Sequence, residues 1–187
     1  KYLGGHSDAL GGMLVVADQE LHDALYFVQN STGAVMGSFA TFLIARGLKT
    51  LELRVREQSR SALFLAHQLS QHPRVSRVLY PGLESHDGHA IAKQQMRGFG
   101  GVLSFMLAED SFDAVRRFVP RLHFAHAAAN LGAVETVIGP PATTSHVECT
   151  LKERQAMGIP ESLIRYSTGI ENVDDLIADL DQALEAV

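Results

Sequence analysis

The order of apolar and polar positions along the chain predicts helices that alternate with short strands. Apolar residues recur at helical spacing in seven segments, predicted as helices over residues 19–29, 38–46, 51–71, 89–96, 112–119, 151–158 and from about 173 onward. Short apolar or alternating runs predict strands over residues 13–16, 75–80, 102–107, 134–138 and 163–167. This alternation favours an α/β or α+β layer structure in which several helices cover one sheet.

Capping residues mark the ends of several predicted helices. Asp18 and Ser111 precede helical segments as N-caps, and Thr150 with Glu153 has the spacing of a capping box. Gly47 is predicted to end the second helix as a C-cap. The long third helix has a mixed-charge outer face that suits a connector, so a domain boundary is predicted near residue 52.

Composition narrows the class of protein without selecting an activity. Of 187 residues 46% are hydrophobic, and 16 basic against 21 acidic residues leave a formal charge of −5. This balance argues against nucleic acid or an anionic membrane as a partner. No apolar run approaches the roughly 18 residues of a membrane span. Cys149 is the only cysteine, so an internal disulfide is impossible, and this usage favours a cytoplasmic protein.

Three motifs that suggest known kinds of site are interpreted as structural. His86 and His89 share a glycine-containing turn with no third ligand nearby in sequence, so no metal site is predicted. The glycine-rich residues 98–101 precede their strand, whereas a dinucleotide-binding loop must follow one. Ser145 and His146 are adjacent in a segment expected to be extended, so their side chains should point to opposite faces. They are not predicted as nucleophile and base, although the Ser145 hydroxyl stays available to a ligand.

Two cations are candidates for chemistry. Arg165 lies in the otherwise apolar to amphipathic strand 163–167, where a guanidinium needs an anion, and a carboxylate suits its forked geometry. An exposed place on an edge strand and a structural ion pair remain alternatives for Arg165. Lys1 could attack a carbonyl as a Schiff-base lysine, but its neighbours do not select that reaction. The residues alone therefore predict one candidate anion-binding arginine and no specific reaction.

Several segments, taken in order, resemble one family of enzymes. The chain opens with Lys-Tyr-Leu-Gly-Gly-His-Ser-Asp, and further matching segments follow at residues 9–12, 29–35, 46–50, 80–86, 95–101, 130–136, 141–146 and 165–171. Together they resemble the Cys/Met-metabolism enzymes that depend on pyridoxal 5′-phosphate. Each segment is weak by itself, but their shared order extends over the whole chain.

This resemblance implies a fold and an assembly. The implied fold is that of type I pyridoxal-phosphate-dependent transferases, with residues 1–52 closing the large cofactor-binding domain and residues 53–187 forming the small C-terminal α/β domain. Lys1 would be the catalytic lysine that forms the Schiff base with the cofactor, and about half of the enzyme would lie upstream of it. The family forms homotetramers built from active dimers, so partner subunits are expected.

The resemblance also implies which residues meet the substrate. Arg165 would hold the substrate α-carboxylate, and Asn130 and Ser145 would lie close to the substrate. Ala129 stands where many γ-lyases and γ-synthases have a glutamate near the distal amino group of cystathionine. The implied reaction is γ-elimination or γ-replacement on a sulfur amino acid, as in cystathionine γ-lyase or cystathionine γ-synthase.

Two alternatives accompany this expectation. Asn130 and residues 141–145 are closer to the O-acetyl- or O-succinylhomoserine sulfhydrylases, which together with methionine γ-lyase form the alternative activity. A homoserine ester is then the alternative substrate. A non-catalytic assembly domain is the hypothesis from another class of protein.

Overall fold

The computed structural model describes every residue from Lys1 to Val187. Its helices are α1 (Gln19–Thr32), α2 (Ser38–Leu48), α3 (Leu51–Gln71), α4 (His89–Gln95), α5 (Phe112–Phe118), α6 (Leu151–Ala156) and α7 (Val173–Leu184). Its strands are β1 (Val75–Leu79), β2 (Val102–Leu107), β3 (His126–Ala127), β4 (Val137–Gly139) and β5 (Leu163–Ser167). Short 3₁₀ helices occupy Val119–Arg121 and Pro141–Thr143. None of the helices is both long and apolar enough to cross a membrane.

The five strands form one mixed sheet in the order β1-β2-β5-β4-β3. Neighbouring strands are antiparallel except β3 and β4, which run parallel. β5 is the middle strand, and Arg165 on it pairs with Ser104 on one side and with Gly139 on the other. An arginine therefore occupies the centre of the sheet and not an edge.

One hydrophobic core joins the sheet to helices α3, α5 and α7. Alternation along the strands puts Phe105 and Tyr166 into this core, and helical spacing adds Leu65 of α3 and Leu180 of α7. Burying a side chain of this kind stabilises the fold by about 1.5–3 kcal/mol. The core includes no residue before Ala62.

Three predicted N-caps are confirmed by their hydrogen bonds. The Asp18 carboxylate accepts from the Leu21 amide at 2.7 Å, and the Ser111 hydroxyl accepts from the Ala114 amide at 3.1 Å. At α6 the capping box is complete, because the Thr150 hydroxyl accepts from the Glu153 amide at 3.3 Å and the Glu153 carboxylate accepts from the Thr150 amide at 2.7 Å. These signals are local in sequence, so they survive whatever packs around the helix.

A buried carboxylate on α7 anchors the loop that leads into β3. Asp179 is 3% exposed and accepts hydrogen bonds from the amides of His123 at 2.8 Å and Phe124 at 3.0 Å. Gln182, one turn later on the same helix, donates to the carbonyl of Arg121 at 2.7 Å. The edge of the sheet is thus tied to the last helix through otherwise unpaired backbone groups.

The prediction of a strand over residues 13–16 is wrong. Met13, Leu14 and Val15 are 76%, 76% and 85% exposed and belong to no strand. An apolar run becomes a strand only where another strand supplies the ladder of hydrogen bonds, and none lies beside this run. The strand predicted over 134–138 is shorter, beginning at Val137, because the Val134 amide donates to Gly5 and the Thr136 amide to Glu171.

The predicted role of Gly47 is also wrong, since α2 continues past it to Leu48. A β-carbon at position 47 would overlap the carbonyl oxygen of Gly4. The absence of a side chain at Gly47 therefore allows two backbone segments to approach closely, and it does not end the helix. By contrast, α1 ends at Thr32, three residues beyond the predicted end, and the left-handed Gly33 is its C-cap.

Candidate active site

Lys1 begins a tight turn, and its side-chain amine forms no ion pair. The Gly5 amide donates to the Lys1 carbonyl at 2.8 Å and closes the turn, while the Gly5 carbonyl accepts from the Val134 amide at 2.9 Å. The Lys1 side chain is exposed and takes part in none of the ion pairs of the structure. A primary amine is thus presented from a backbone that is fixed against the loop before β4.

The ring of Tyr2 fixes this turn on the segment that follows β3. Gly132 has φ +79°, and a β-carbon there would lie 2.8 Å from the Tyr2 ring. Burial raises the pKa of the Tyr2 phenol. Sequence reasoning did not single out Tyr2, although it lies in the family motif, because the residues that it contacts are far along the chain, Gly132 being 130 positions away.

A short hydrogen-bond chain joins the same turn to a predicted substrate residue. The Asn130 side-chain amide donates to the Ser7 hydroxyl at 2.8 Å, and that hydroxyl donates to the Glu135 carboxylate at 3.0 Å. Ser7 has φ +55° and is the only residue other than glycine with a positive φ. The strained residue is therefore held by side-chain bonds on both sides of its hydroxyl.

Arg165 projects from β5 into the same neighbourhood. Its Nη2 donates to the Asn130 carbonyl at 2.8 Å, and its Nε is buried without a hydrogen-bond partner in the protein. It forms no ion pair with an acid, and burial lowers the pKa of its guanidinium. Neither alternative left open by the sequence, an exposed edge arginine or a structural ion pair, describes this side chain.

The other two predicted substrate residues are exposed. Ala129 lines a cavity of about 610 Å³ together with Gly139, Thr144 and Arg116. Ser145 lies just beyond the 3₁₀ helix, and its hydroxyl hydrogen-bonds to Nδ1 of His146 at 2.9 Å. No hydrogen bond joins Ala129 or Ser145 to Arg165, whereas Asn130 bonds to it directly.

The expectation that Ser145 and His146 point apart is wrong. The segment that carries them is a series of turns and not an extended strand, so adjacent side chains are able to meet. No acidic side chain hydrogen-bonds His146, and the serine is exposed. The pair therefore lacks the orienting third residue and the burial that a nucleophile and its base use.

The histidines near Pro81 bond to their own turn. His86 Nδ1 accepts from the Gly88 amide at 3.1 Å, and His89 Nδ1 bonds to the Pro81 carbonyl at 2.8 Å. No group of three or more His, Cys, Asp or Glu side chains is placed to hold a metal ion. Asn130 instead links the turn that Lys1 begins to Arg165, because its side chain bonds to Ser7 of that turn and its carbonyl accepts from Arg165.

The fold and the proteins that it matches place the chain among pyridoxal-phosphate-dependent enzymes of the α/β class. Residues 1–185 match the profile described as Cys/Met metabolism PLP-dependent enzyme, and the chain belongs to that family. The family, fold and cofactor dependence expected from the sequence are thereby confirmed.

Relatives with different activities are about equally similar. The chain is 44% identical over 187 residues to the cystathionine gamma-lyase of Bacillus subtilis, covering 100% of this chain and 49% of the relative. It is 43% identical over 189 residues to the L-methionine gamma-lyase of Fusobacterium nucleatum, covering 100% and 47%. Cystathionine gamma synthase from Xanthomonas oryzae, solved in complex with aminoacrylate and cysteine, superposes with a TM-score of 0.94 at 42% identity, covering 100% of this chain and 48% of that one. The chain spans about half the length of the relatives it matches.

Proposed function

We propose that this chain supplies the cofactor-binding lysine and the carboxylate clamp of an enzyme for γ-elimination or γ-replacement on sulfur amino acids. The observation that best supports this function is the state of Arg165, a half-buried guanidinium in a central strand that pairs with no acid. A cation removed from water is stabilised by an anion with matching hydrogen-bond geometry. The α-carboxylate of an amino-acid substrate would meet that need.

Lys1 would hold pyridoxal phosphate by a covalent bond from its amine to the aldehyde carbon of the cofactor. The amine fits this role because it is exposed and bound by no acid. When bound, the cofactor supplies an electron sink for negative charge at the substrate Cα and Cβ. Arg165 would orient the substrate by its carboxylate. The Lys1 amine, released when the substrate amine takes its place on the aldehyde carbon, would then act as the base at the Cα proton.

The favoured activity is that of a cystathionine γ-lyase or a cystathionine γ-synthase. Relatives named for both activities share more than 40% of their residues with this chain. The alternative is a methionine γ-lyase or a homoserine-ester sulfhydrylase, which Ala129 supports because it puts no carboxylate into the adjoining cavity for the distal ammonium of cystathionine. Asn130 and Ser145 would border the bound substrate, Asn130 through its bond to Arg165.

We also propose the domain division and assembly implied by the family. Residues 1–52 would close a large cofactor-binding domain, residues 53–187 would form the small domain, and the enzyme would be a homotetramer of active dimers. In support, the first part of the chain exposes many large apolar side chains, including Leu10 at 92%, Phe27 at 72% and Phe39 at 73%. Such surfaces are typical of contact with other protein. The free Cys149 favours a reducing compartment, the cytoplasm.

Absorbance and turnover of the full-length protein test this function. The purified enzyme should show a cofactor band near ~420 nm, and Lys1→Ala should lose both that band and turnover. Release of 2-oxoacid from cystathionine is then compared with sulfide capture by O-succinylhomoserine and with release from methionine. A Lys1→Ala protein that retains the band and the turnover would refute the function, and turnover of the ester alone would favour the sulfhydrylase.

A further inference from the structure

A buried arginine at the start of α3 has no acidic partner. Arg54 is 4% exposed, and buried arginines normally pair with a carboxylate because an unpaired charge is costly in the interior. Arg54 instead donates from Nη1 to the Tyr2 carbonyl at 2.9 Å, from Nη2 to the Gly47 carbonyl at 2.8 Å and from Nε to the Thr50 hydroxyl at 3.1 Å. Every nitrogen of the guanidinium is therefore used to hold backbone or a hydroxyl next to the turn that Lys1 begins.

Two glycines make room for this arrangement. Gly5 has φ +80°, and a β-carbon on it would overlap Nη1 of Arg54. A β-carbon on Gly47 would overlap the Gly4 carbonyl, so α2 also packs directly on the turn. The turn packs so closely on α2 and on the guanidinium that no side chain fits between them. This close packing restricts the position of the turn.

The peptide groups on both sides of Tyr2 are consequently fixed. The Lys1 carbonyl accepts from the Gly5 amide and the Tyr2 carbonyl accepts from Arg54, while the Tyr2 ring lies against Gly132. The Lys1 side chain makes no ion pair of its own. The direction in which its amine points therefore depends on the backbone that carries it.

We propose that Arg54 is the positioning residue of Lys1: its buried guanidinium holds the Tyr2 carbonyl and so aims the lysine amine. The inference rests on the proposed function, in which Lys1 carries the chemistry. Because charge-assisted bonds from a forked donor are directional, the arginine fixes orientation as well as location. A lysine at position 54 would keep the charge but could not serve three acceptors placed on different sides.

Arg54→Lys in the full-length, cofactor-loaded enzyme tests the inference. We expect kcat to fall about tenfold or more while KM changes by less than about threefold, because the base is misplaced and the Arg165 clamp is not. Two readouts on the cofactor-free protein are independent of turnover. Bonding of added pyridoxal phosphate to Lys1, followed by absorbance, should slow about tenfold, and deuterium uptake at the Gly5 amide should accelerate.

Three variants serve as controls. Arg56→Lys, on an exposed side chain of the same helix paired with Glu52, should leave all readouts unchanged. Leu180→Ala removes a core side chain and lowers stability without touching the turn. Thr50→Val removes the acceptor of Nε together with the hydrogen bond from the Thr50 hydroxyl to the Gly47 carbonyl. It should give the same changes at smaller size, which keeps the test valid if Arg54→Lys does not fold.

The outcomes separate this inference from the proposed function. The inference is overturned if the folded fractions of Arg54→Lys and Leu180→Ala have the same kcat, the same rate of bonding to pyridoxal phosphate and the same rate of deuterium uptake at the Gly5 amide. Arg54 would then be a purely structural residue. If Lys1→Ala nevertheless loses the cofactor band, the proposed function is retained although the inference about Arg54 fails. A Lys1→Ala enzyme that keeps band and turnover would refute both.

Discussion

Replacing Arg165 by lysine separates charge from geometry at the proposed carboxylate clamp. Arg165 uses Nη2 for the Asn130 carbonyl and leaves a buried Nε without a protein partner. A lysine amine at the same place could bond to Asn130 or to a substrate carboxylate, but it offers no pair of parallel N–H groups. The variant should therefore bind the carboxylate in a looser and less defined orientation.

The size of the effect follows from the bonds lost. A hydrogen bond to a charged group contributes about 1.5–3 kcal/mol, and ~1.36 kcal/mol corresponds to a tenfold change in rate. Loss of one such bond alone predicts a decrease in kcat/KM of about 10- to 150-fold, and misorientation of the Cα–H bond adds to it. We expect a loss of about 10²-fold or more, equivalent to ~2.7 kcal/mol.

Steady-state kinetics and thermal melting of the cofactor-loaded enzyme measure this prediction. Arg154→Lys is the matched control, because Arg154 is also largely buried, pairs with Glu161 at 3.4 Å and donates to the Cys149 carbonyl at 2.6 Å. The control should lower the melting temperature and spare kcat/KM. If Arg165→Lys shows that second pattern, with melting lowered and kcat/KM of the folded protein intact, Arg165 is not the clamp.

Three further predictions concern specificity, stability and pH. Ala129→Glu adds a carboxylate to the cavity wall and should raise the kcat/KM ratio of cystathionine over methionine about five- to 150-fold, since such an ion pair is worth ~1–3 kcal/mol. Asp179→Ala leaves two loop amides without their acceptor and should lower the free energy of unfolding in urea by about 1.5–3 kcal/mol. Hydrogen bonds from the Thr150 amide and hydroxyl lower the pKa of Glu153. This cap therefore stabilises α6 above the usual carboxyl pKa of roughly 4.3 and loses its effect as pH falls through the lower folded value, which amide exchange in α6 would follow.

Each of these has an outcome that contradicts it. An unchanged or lower substrate ratio in Ala129→Glu would mean that another group sets the preference. Asp181 is exposed on the same helix, so Asp181→Ala should change stability by less than about 0.5 kcal/mol, and an equal loss in both variants would deny Asp179 its anchoring role. Glu153→Gln should remove the pH dependence of α6, and its persistence would assign the effect to another carboxylate.

Features with local causes were predictable from the sequence. The caps at Asp18, Ser111 and Thr150 form because the capping side chain and its amide are three residues apart, whatever the rest of the fold does. Four of the five predicted strands are present, two with the predicted ends (102–107 and 163–167) and two with altered ends (75–80 and 134–138). Arg165 was recognised as unusual because a fixed cation stands in an apolar strand.

Features with distant causes were not predictable from the chain read by itself. Arg54 lies 52 residues from Tyr2, and an arginine in the first turn of a mixed-charge helix has no property that distinguishes it from Arg56. Gly47 was assigned to a helix end because both a C-cap and a close backbone approach require the absence of a side chain. The two-residue strand β3 is too short for any alternation to show.

The contacts of Tyr2 with Gly132 have a mechanical consequence. Together with the bonds from Val134 to Gly5 and from Asn130 to Ser7, they attach the first turn of the chain to the same sheet that carries Arg165. The backbone of Lys1 is thereby held against the sheet that carries Arg165, independently of the helices that follow the turn. A movement of those helices would then leave the backbone of Lys1 in place against the sheet.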